Sequence, residues 1–237
     1  MKRIITSVAL VAAIGALSGC SKEETVSSEN IKTKGIAALI EVKAENENSS
    51  QVRVELLVGG DESNTHVILD NGDKLTVAAN GETKTLSAES EGIYTATIGT
   101  GAADTEFVIG LERPDDTPAP NSTGKLPAPF TLATIDNKSR ATDAVDITWD
   151  PSGSDSIVID VLGDCIKEHK DIKTSDTGSY TIAAGDLVSG FDSDKDKTCD
   201  VTVRVWRERG GSPDGAYDGE STMVMRQVRS TKFQAAP

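Results

Sequence analysis

The sequence predicts an all-β protein built from two β-sandwich units, and three observations support that class. Apolar and polar residues alternate over short runs, as at Val52, Val54 and Val58, which is the period of a half-buried strand. Two Asn-Gly pairs, beginning at Asn71 and Asn80, lie between such runs and are typical of tight hairpin turns. From residue 35 to residue 113 no run of ten or more residues carries a helical stripe of apolar side chains.

The first twenty residues have the layout of an export signal. Two basic residues, Lys2 and Arg3, precede an uncharged apolar stretch that ends in small residues. The stretch is shorter than the roughly 20 apolar residues that a membrane-spanning helix needs. Its last four residues, LSGC at positions 17–20, resemble the lipobox of bacterial lipoproteins, which is an aliphatic residue, two small residues and a cysteine.

That resemblance implies a signal peptide over residues 1–19 and lipid attachment at Cys20. The thiol would take a diacylglyceryl group, the leader would be cut before it, and the new amino terminus would receive an acyl chain such as palmitate. Two or more chains hold a protein stably at a membrane. Ser21 follows, where an aspartate would favour inner-membrane retention, so the resemblance implies the outer membrane of a Gram-negative cell envelope. The alternative is an ordinary signal peptide with a chance cysteine.

The composition is strongly acidic, which limits the classes of partner. The net charge is −14, and it becomes −16 after leader removal because the leader carries two basic residues and no acid. A surface of that sign excludes nucleic acid and anionic lipid headgroups and leaves cationic partners and divalent ions open. Aromatic residues make up 4% of the chain, which argues against the aromatic platform of a sugar-binding surface.

The body of the chain divides at a proline-rich segment. Residues 20–34 are polar without an apolar period and are predicted to be a flexible tether behind the lipid. Residues 35–113 are predicted to form the first sandwich. Five of the eight prolines fall in residues 114–129, which predicts a stiff extended linker because proline fixes φ and donates no ladder hydrogen bond.

The second unit, residues 130–237, repeats the alternation. Val145, Ile147 and Trp149 share one face, and the pattern resembles an immunoglobulin-like or fibronectin type III-like sandwich in which Trp149 fills the core. The segment DTGSY, ending at Tyr180, is similar to a tyrosine corner, although Ile182 stands where antibody domains have a cysteine.

Two cysteines remain in the body, Cys165 and Cys199. In an exported protein an even pair predicts a disulfide, and a loop of this size would stabilise the fold by roughly 3–4 kcal/mol. If the strands that carry them pair antiparallel, as strands C and F do in such sandwiches, the two residues lie within bridging distance.

Metal ligands are sparse. Asp192, Asp194 and Asp196 have the spacing that begins a calcium loop. Lys197 then replaces the required glycine and Val203 the bidentate glutamate, so the bland alternative is a solvated acidic turn. The two histidines are isolated, which argues against zinc. The sequence therefore predicts no cofactor, with calcium as a weak alternative.

The sequence also predicts no catalytic activity. No G-x-S-x-G motif is present, and a triad would have to use one of two isolated histidines. Carboxylates are so abundant that a glycan hydrolase with a pair of acids stays open as an alternative.

One cluster of basic residues contrasts with the acidic background. Arg204, Arg207 and Arg209 flank Trp206, and if the neighbouring valines face the core, Arg204 and Trp206 face outward. Such a patch can bind an anionic or aromatic partner by stacking and paired hydrogen bonds. The alternative is that an arginine stem covers the tryptophan and only stabilises the fold.

The combined prediction is a membrane-anchored envelope lipoprotein that acts as a non-catalytic binding or scaffolding module, with an unidentified protein or glycan as partner. The whole chain resembles bacterial lipoproteins of unassigned function. The alternatives are a carbohydrate- or calcium-binding adhesion module and, in another class, the glycan hydrolase.

Overall fold

The computed structural model describes residues 24–153, 155–188 and 197–237. Two short 3-10 turns, at Ser28–Asn30 and Thr33–Gly35, are the helical elements of this part of the chain, and no helix in it could cross a bilayer. The predicted all-β sandwich class is confirmed. The strands are β1 (Glu24–Ser27), β2 (Ile36–Asn46), β3 (Ser49–Val58), β4 (Thr65–Ile68), β5 (Lys74–Ala79), β6 (Glu82–Thr85), β7 (Ser87–Ser90), β8 (Ile93–Ile98), β9 (Glu106–Glu112), β10 (Ala119–Lys125), β11 (Lys138–Ser139), β12 (Val145–Thr148), β13 (Ser156–Leu162), β14 (His169–Ser175), β15 (Ser179–Ile182), β16 (Cys199–Gly210) and β17 (Thr222–Ala236).

Eleven strands form one continuous sheet that runs through both halves of the molecule. Its main order is β1-β4-β3-β2-β17-β16-β13-β14, with β8 and β7 beside β3 and β11 beside β17. A four-stranded sheet, β10-β9-β5-β6, and a two-stranded sheet, β12-β15, complete the described strands. The two smaller sheets cover different ends of the large sheet, which gives two sandwiches with separate cores.

The first core lies between the large sheet and the four-stranded sheet. Alternate residues of β2 and β3, such as Val42 and Val54, meet alternate residues of β5 and β9, such as Val77 and Ile109, and all are fully buried. This is the two-residue alternation of the sequence expressed as one buried face for each strand.

The second core has the strand arrangement of an immunoglobulin-like sandwich. Strands β13, β16 and β17 lie side by side, as strands C, F and G do, and face the pair β12-β15, which corresponds to strands B and E. Trp149 is buried in this core, as predicted. Cys165 and Cys199 form the predicted disulfide, with Cα atoms 5.8 Å apart, and β13 and β16 pair antiparallel.

Strand β17 belongs to both sandwiches, which corrects the prediction of a self-contained second unit. Residues 222–227 pair in parallel with β2, and the side chains of Met223 and Met225 lie in the first core. Phe233 and Ala235, further along the same strand, lie in the second core. Fifteen residues of extended chain span roughly 50 Å, which is enough to cross both units.

The predicted tether and linker both contribute strands, which corrects two further predictions. Residues 24–27 pair in parallel with β4, although the tether was expected to be flexible. Residues 119–125 pair with β9 within the predicted linker. Pro120 is tolerated because β10 is an edge strand and the register shifts between Ala119 and Ser122, so its missing N–H breaks no central ladder.

Candidate functional site

A groove of about 550 Å³ crosses the outer face of the large sheet where the two sandwiches meet. Strand β16 presents Val201, Val203 and Val205 to the second core, so Arg204 and Trp206 lie on the opposite face, as the alternation predicted. The groove is lined by Glu41, Lys43 and Glu45 of β2, Arg204 and Trp206 of β16, and Arg226, Val228, Arg229 and Ser230 of β17.

Arg204 and Trp206 form the centre of the groove. The Arg204 guanidinium carbon lies 5.5 Å from the centroid of the Trp206 ring, which is the distance of a cation–π contact. Arg204 is exposed, and no carboxylate lies within ion-pair distance of it in the described residues. The guanidinium is therefore held in place by the ring while its five N–H donors stay available.

Arg229 borders the groove through its backbone, but its side chain lies on the core face of the sheet, because it pairs with Val205 in the β16–β17 register. No carboxylate of the described residues lies within ion-pair distance of it. Its guanidinium carbon lies 5.5 Å from the Phe130 ring centroid, and its Nη1 donates to the carbonyl oxygen of Val228 at 2.7 Å. Burial lowers the pKa of Arg229, and the nearby charge of Arg207 lowers it further, while Glu47 opposes that shift. The direction of the shift therefore reflects chiefly the partial burial of the guanidinium.

The other charged side chains of the groove neutralise each other. Arg226 contacts Glu41 and Glu208, and Lys43 lies 3.1 Å from Glu45. Burial lowers the pKa of Arg226, but the hydrogen bond from Glu41 and the charge of Glu208 raise it above its ordinary value overall. These pairs leave Arg204 as the arginine of the groove that has no carboxylate within ion-pair distance among the described residues.

The contrast with the other described arginines is clear. Arg53, Arg113, Arg207, Arg209 and Arg226 each contact a carboxylate, and Arg140 donates to backbone carbonyls. At the groove the cationic side chains of Lys43, Arg204 and Arg226 are balanced by Glu41, Glu45 and Glu208, whereas the whole chain has a net charge of −14. Arg204, which has no carboxylate within ion-pair distance among the described residues, is therefore the point in the groove at which an anion can bind.

The structure removes Arg207 from the predicted partner patch. Arg207 follows Val205 by two positions and therefore points into the second core, where its side chain is 1% exposed. Its Nε lies 2.8 Å from Oδ2 of Asp176, and its Nη1 donates to the carbonyl of Ala128. The alternation that predicts an exposed Arg204 also predicts a buried Arg207, because the two residues are an odd number of positions apart on the same strand.

Asp176 also replaces the predicted tyrosine corner. Its carboxylate accepts hydrogen bonds from Trp149 Nε1 at 2.7 Å, from Arg207, and from Ser152. Tyr180 lies on β15 and is half-buried, without a corner role in the described contacts. The segment is therefore an anchor for the core tryptophan and the buried arginine.

Arg209 lies outside the groove as well and joins the two sandwiches. Its Nε donates to Asp155 of the second unit at 2.9 Å. Its Nη1 donates to Asp104 at 2.8 Å and to the carbonyl of Leu126, both in the first unit. The patch predicted from sequence thus separates into Arg204 and Trp206 in the groove, one core arginine and one bridging arginine.

Other candidate sites have little support in the described residues. A concavity of about 480 Å³ contains His66, whose Nε2 lies 3.1 Å from Oε1 of Glu55. The converging metal-type ligands found in this part of the chain are Asp164 and the two bridged cysteines. Cys20 and the calcium candidates at 192, 194 and 196 lie outside the described residues.

The clearly shifted carboxyl groups bear on the hydrolase alternative. A glycosidase needs a carboxylic acid with a raised pKa, which keeps its proton at neutral pH. The carboxyl groups with a clear shift all have a lowered pKa, because hydrogen bonds and nearby cations outweigh the effect of burial. These groups are Glu55, Glu82, Asp116, Asp164 and Asp176. A lowered pKa favours the ionised form, so these five groups suit hydrogen-bond acceptors and ion-pair partners better than a proton donor.

Fold and site together define a β-sandwich protein with a surface groove centred on Arg204 and Trp206. No protein-family model matches the chain, and no curated protein matches it. Among solved structures, a two-domain fibronectin type III segment of chicken tenascin is similar at 14% identity, covering 81% of this chain and 98% of that chain, with a TM-score of 0.22.

Two bacterial structures give similar values. The adhesin InvE of Yersinia pseudotuberculosis has 12% identity over 85% of this chain and 59% of its own, with a TM-score of 0.26. The fibronectin(III)-like modules of Clostridium thermocellum CbhA have 15% identity over 84% and 90%, with a TM-score of 0.22. These likenesses assign neither family nor function, and the fold class depends on the strand order described above.

Proposed function

We propose that the protein is a lipid-anchored, non-catalytic binding module of the cell envelope, and that the groove is its binding surface. The observation that carries the proposal is Arg204, an exposed arginine that lies against Trp206 and has no carboxylate within ion-pair distance among the described residues of a strongly acidic protein. The partner is a protein or glycan with an anionic group, and the overall charge argues against nucleic acid.

A bound anion would supply the negatively charged partner that Arg204 lacks among the described residues. Charge-assisted hydrogen bonds contribute roughly 1.5–3 kcal/mol each, because the guanidinium fork matches the geometry of carboxylate and phosphate oxygens. Trp206 lies beside the fork and adds a flat apolar surface, which holds Arg204 in one orientation before binding. The groove is open and shallow, which suits an extended surface partner better than a small substrate.

The LSGC sequence at residues 17–20 supports the anchor. Strand β1 begins at Glu24, four residues after Cys20. Four residues of fully extended chain reach at most about 14 Å. A lipid on Cys20 would therefore hold the first sandwich close to the surface of the outer membrane.

Two experiments test the proposal. Intact-mass analysis of native protein should show a chain that begins at Cys20 and carries diacylglyceryl and acyl groups, and Cys20→Ser should abolish membrane recovery. A native chain that still begins at Met1, or an unmodified Cys20, would remove the anchor.

The groove is tested by photo-crosslinking in intact cells, with the probe at Lys43 in the groove or at Lys84 on strand β6. Both lysines contact a glutamate two positions away, so they are matched in surroundings. We expect an adduct from position 43 alone, which Arg204→Ala abolishes. Equal adducts from both positions would remove the groove as the binding surface.

A further inference from the structure

We infer that the occupant of the groove is an extended acidic segment of a partner protein, which adds as a strand to an open edge of β17. This inference rests on the proposed function of the groove. Arg204 and Ser230 are opposite each other in the β16–β17 register, so the groove and the open edge lie next to each other.

The edge is open because the partners of β17 leave a gap. On the side away from β16, residues 222–227 pair with β2, and Ala235 and Ala236 pair with β11. No strand of the described residues pairs with residues 228–234 on that side. Seven residues of strand span roughly 23 Å, which accommodates an extended peptide of about six residues.

The backbone groups that face the gap can be identified from the hydrogen bonds. The Val228 carbonyl, the Gln234 N–H and the Ala236 carbonyl bond to Arg229, Asn137 and Arg140, none of which belongs to β16. In an antiparallel ladder alternate residues direct both backbone groups to the same side, so the even-numbered residues of β17 face the gap.

Ser230 and Lys232 are the even-numbered residues in the middle of the gap. No hydrogen bond from their backbone groups to another described segment exists on that side. An unpaired strand edge is a template for another extended chain, whose backbone presents N–H and C=O groups at the same spacing. A glycan has no such repeat, which favours a peptide.

The surrounding charges select an acidic peptide. Ser230 and Lys232 are exposed, and the small Ser230 side chain leaves room between Arg204 and a strand added at the gap. Carboxylates on the outward face of the added strand would meet Arg204 and Lys232. A lysine-rich segment would be repelled by these two cations.

The test is calorimetric titration of the full-length protein in detergent, at low salt, with defined peptides. The main probe is a seven-residue peptide that alternates glutamate with valine. One comparison peptide has lysine in place of glutamate, and another carries N-methyl groups on alternate backbone amides, which block strand pairing. We expect binding of the main probe and at least a roughly tenfold loss with either comparison peptide.

Variants separate the contribution of backbone pairing from the contribution of charge. Ser230→Pro removes an N–H that faces the gap and should reduce binding about tenfold without a ladder bond to β16 being lost. Arg204→Ala should reduce binding and its salt dependence. Lys173→Ala, on the exposed edge strand β14, is the matched control and should change nothing. The melting temperature of every variant is measured as well, which detects any loss of folding. The N-methylated peptide tests strand pairing on the unaltered protein, so its result does not depend on how well a variant folds.

The outcomes distinguish this inference from the function beneath it. If the N-methylated peptide binds as well as the main probe, strand addition is wrong, while an anion-binding groove stands. If an oligogalacturonate binds at the groove and the peptides do not, the partner class is a glycan and the inference falls. If crosslinking from Lys43 also fails, the proposed function falls with it.

Discussion

Replacing Asp176 with asparagine is expected to destabilise the second sandwich more than any comparable change of an exposed acid. The side chains of Asp176 and Arg207 are 0% and 1% exposed, and their closest atoms are 2.8 Å apart. Asparagine keeps the shape and an acceptor for Trp149 but removes the charge. The guanidinium then stays buried without a counter-ion.

The magnitude follows from that burial. Breaking a buried ion pair by removing one partner costs roughly 3–5 kcal/mol, because the remaining charge is uncompensated. The two sandwiches share β17, so they are expected to unfold together as a chain of more than 200 residues. For proteins of that size 1 kcal/mol corresponds to roughly 2–4 °C, which predicts a loss of about 6–20 °C in melting temperature.

The same pair gives a pH dependence of known sign. Burial raises the pKa of Asp176, but hydrogen bonds from Ser152, Arg207 and Trp149 lower it more, so the net pKa lies below its ordinary value. A lowered folded-state pKa contributes stability that is fully present above the ordinary value of about 3.9. That contribution is lost as pH falls through the lowered pKa. The difference in melting temperature between wild type and Asp176→Asn should therefore become smaller in acid.

The assay is thermal unfolding followed by circular dichroism at pH 7, 5 and 3. Asp200→Asn is the matched control, since Asp200 is an exposed acid on β16 of the same sandwich. We expect the control to melt within about 2 °C of wild type at pH 7. Equal melting temperatures for Asp176→Asn and the control at pH 7 would refute the reasoning.

Three further changes have expected outcomes. Reducing the disulfide should lower the free energy of unfolding by roughly 4 kcal/mol, measured by urea titration with and without reductant; an unchanged midpoint would contradict this. Gly101→Ala should cost at least about 2 kcal/mol, because the added Cβ would lie 2.0 Å from the Asn46 carbonyl oxygen. Gly215→Ala, where nothing lies within 4 Å, is the control and should stay within about 0.5 kcal/mol. Arg209→Ala should cost about 1 kcal/mol through its lost pair with Asp155, and raising salt should shrink that difference, which a salt-independent loss would disprove.

Several features could be predicted from sequence because they depend on near neighbours. Two-residue alternation predicts strands whatever their partners are, and it placed Trp149 inside and Arg204 outside. The cysteine pair could be predicted because the two cysteines after residue 20 leave one possible pairing. The same alternation predicts that Arg207 is buried, as the structure shows. The sequence analysis instead grouped Arg207 with its neighbouring arginines as a surface patch.

Other features were decided by contacts between segments far apart in the chain. Val224 of β17 pairs with Glu41, across more than 180 residues, and this pairing joins two sandwiches into one sheet. Pairing with β4 and with β9 makes edge strands of polar residues in the predicted tether and linker, since an edge strand needs backbone pairing and little apolar pattern. The groove lies where the pairing between β2 and β17 ends, at Ala44.

The sequence by itself determined the strand class and the inward and outward faces, since these follow from side chains within a few residues of one another. It also determined the disulfide, because the two cysteines of the body leave one pairing. The tertiary structure alone decided which strands are neighbours. Backbone hydrogen bonds are nearly the same for every residue, so the choice of partner strand depends on which apolar faces complete a common core.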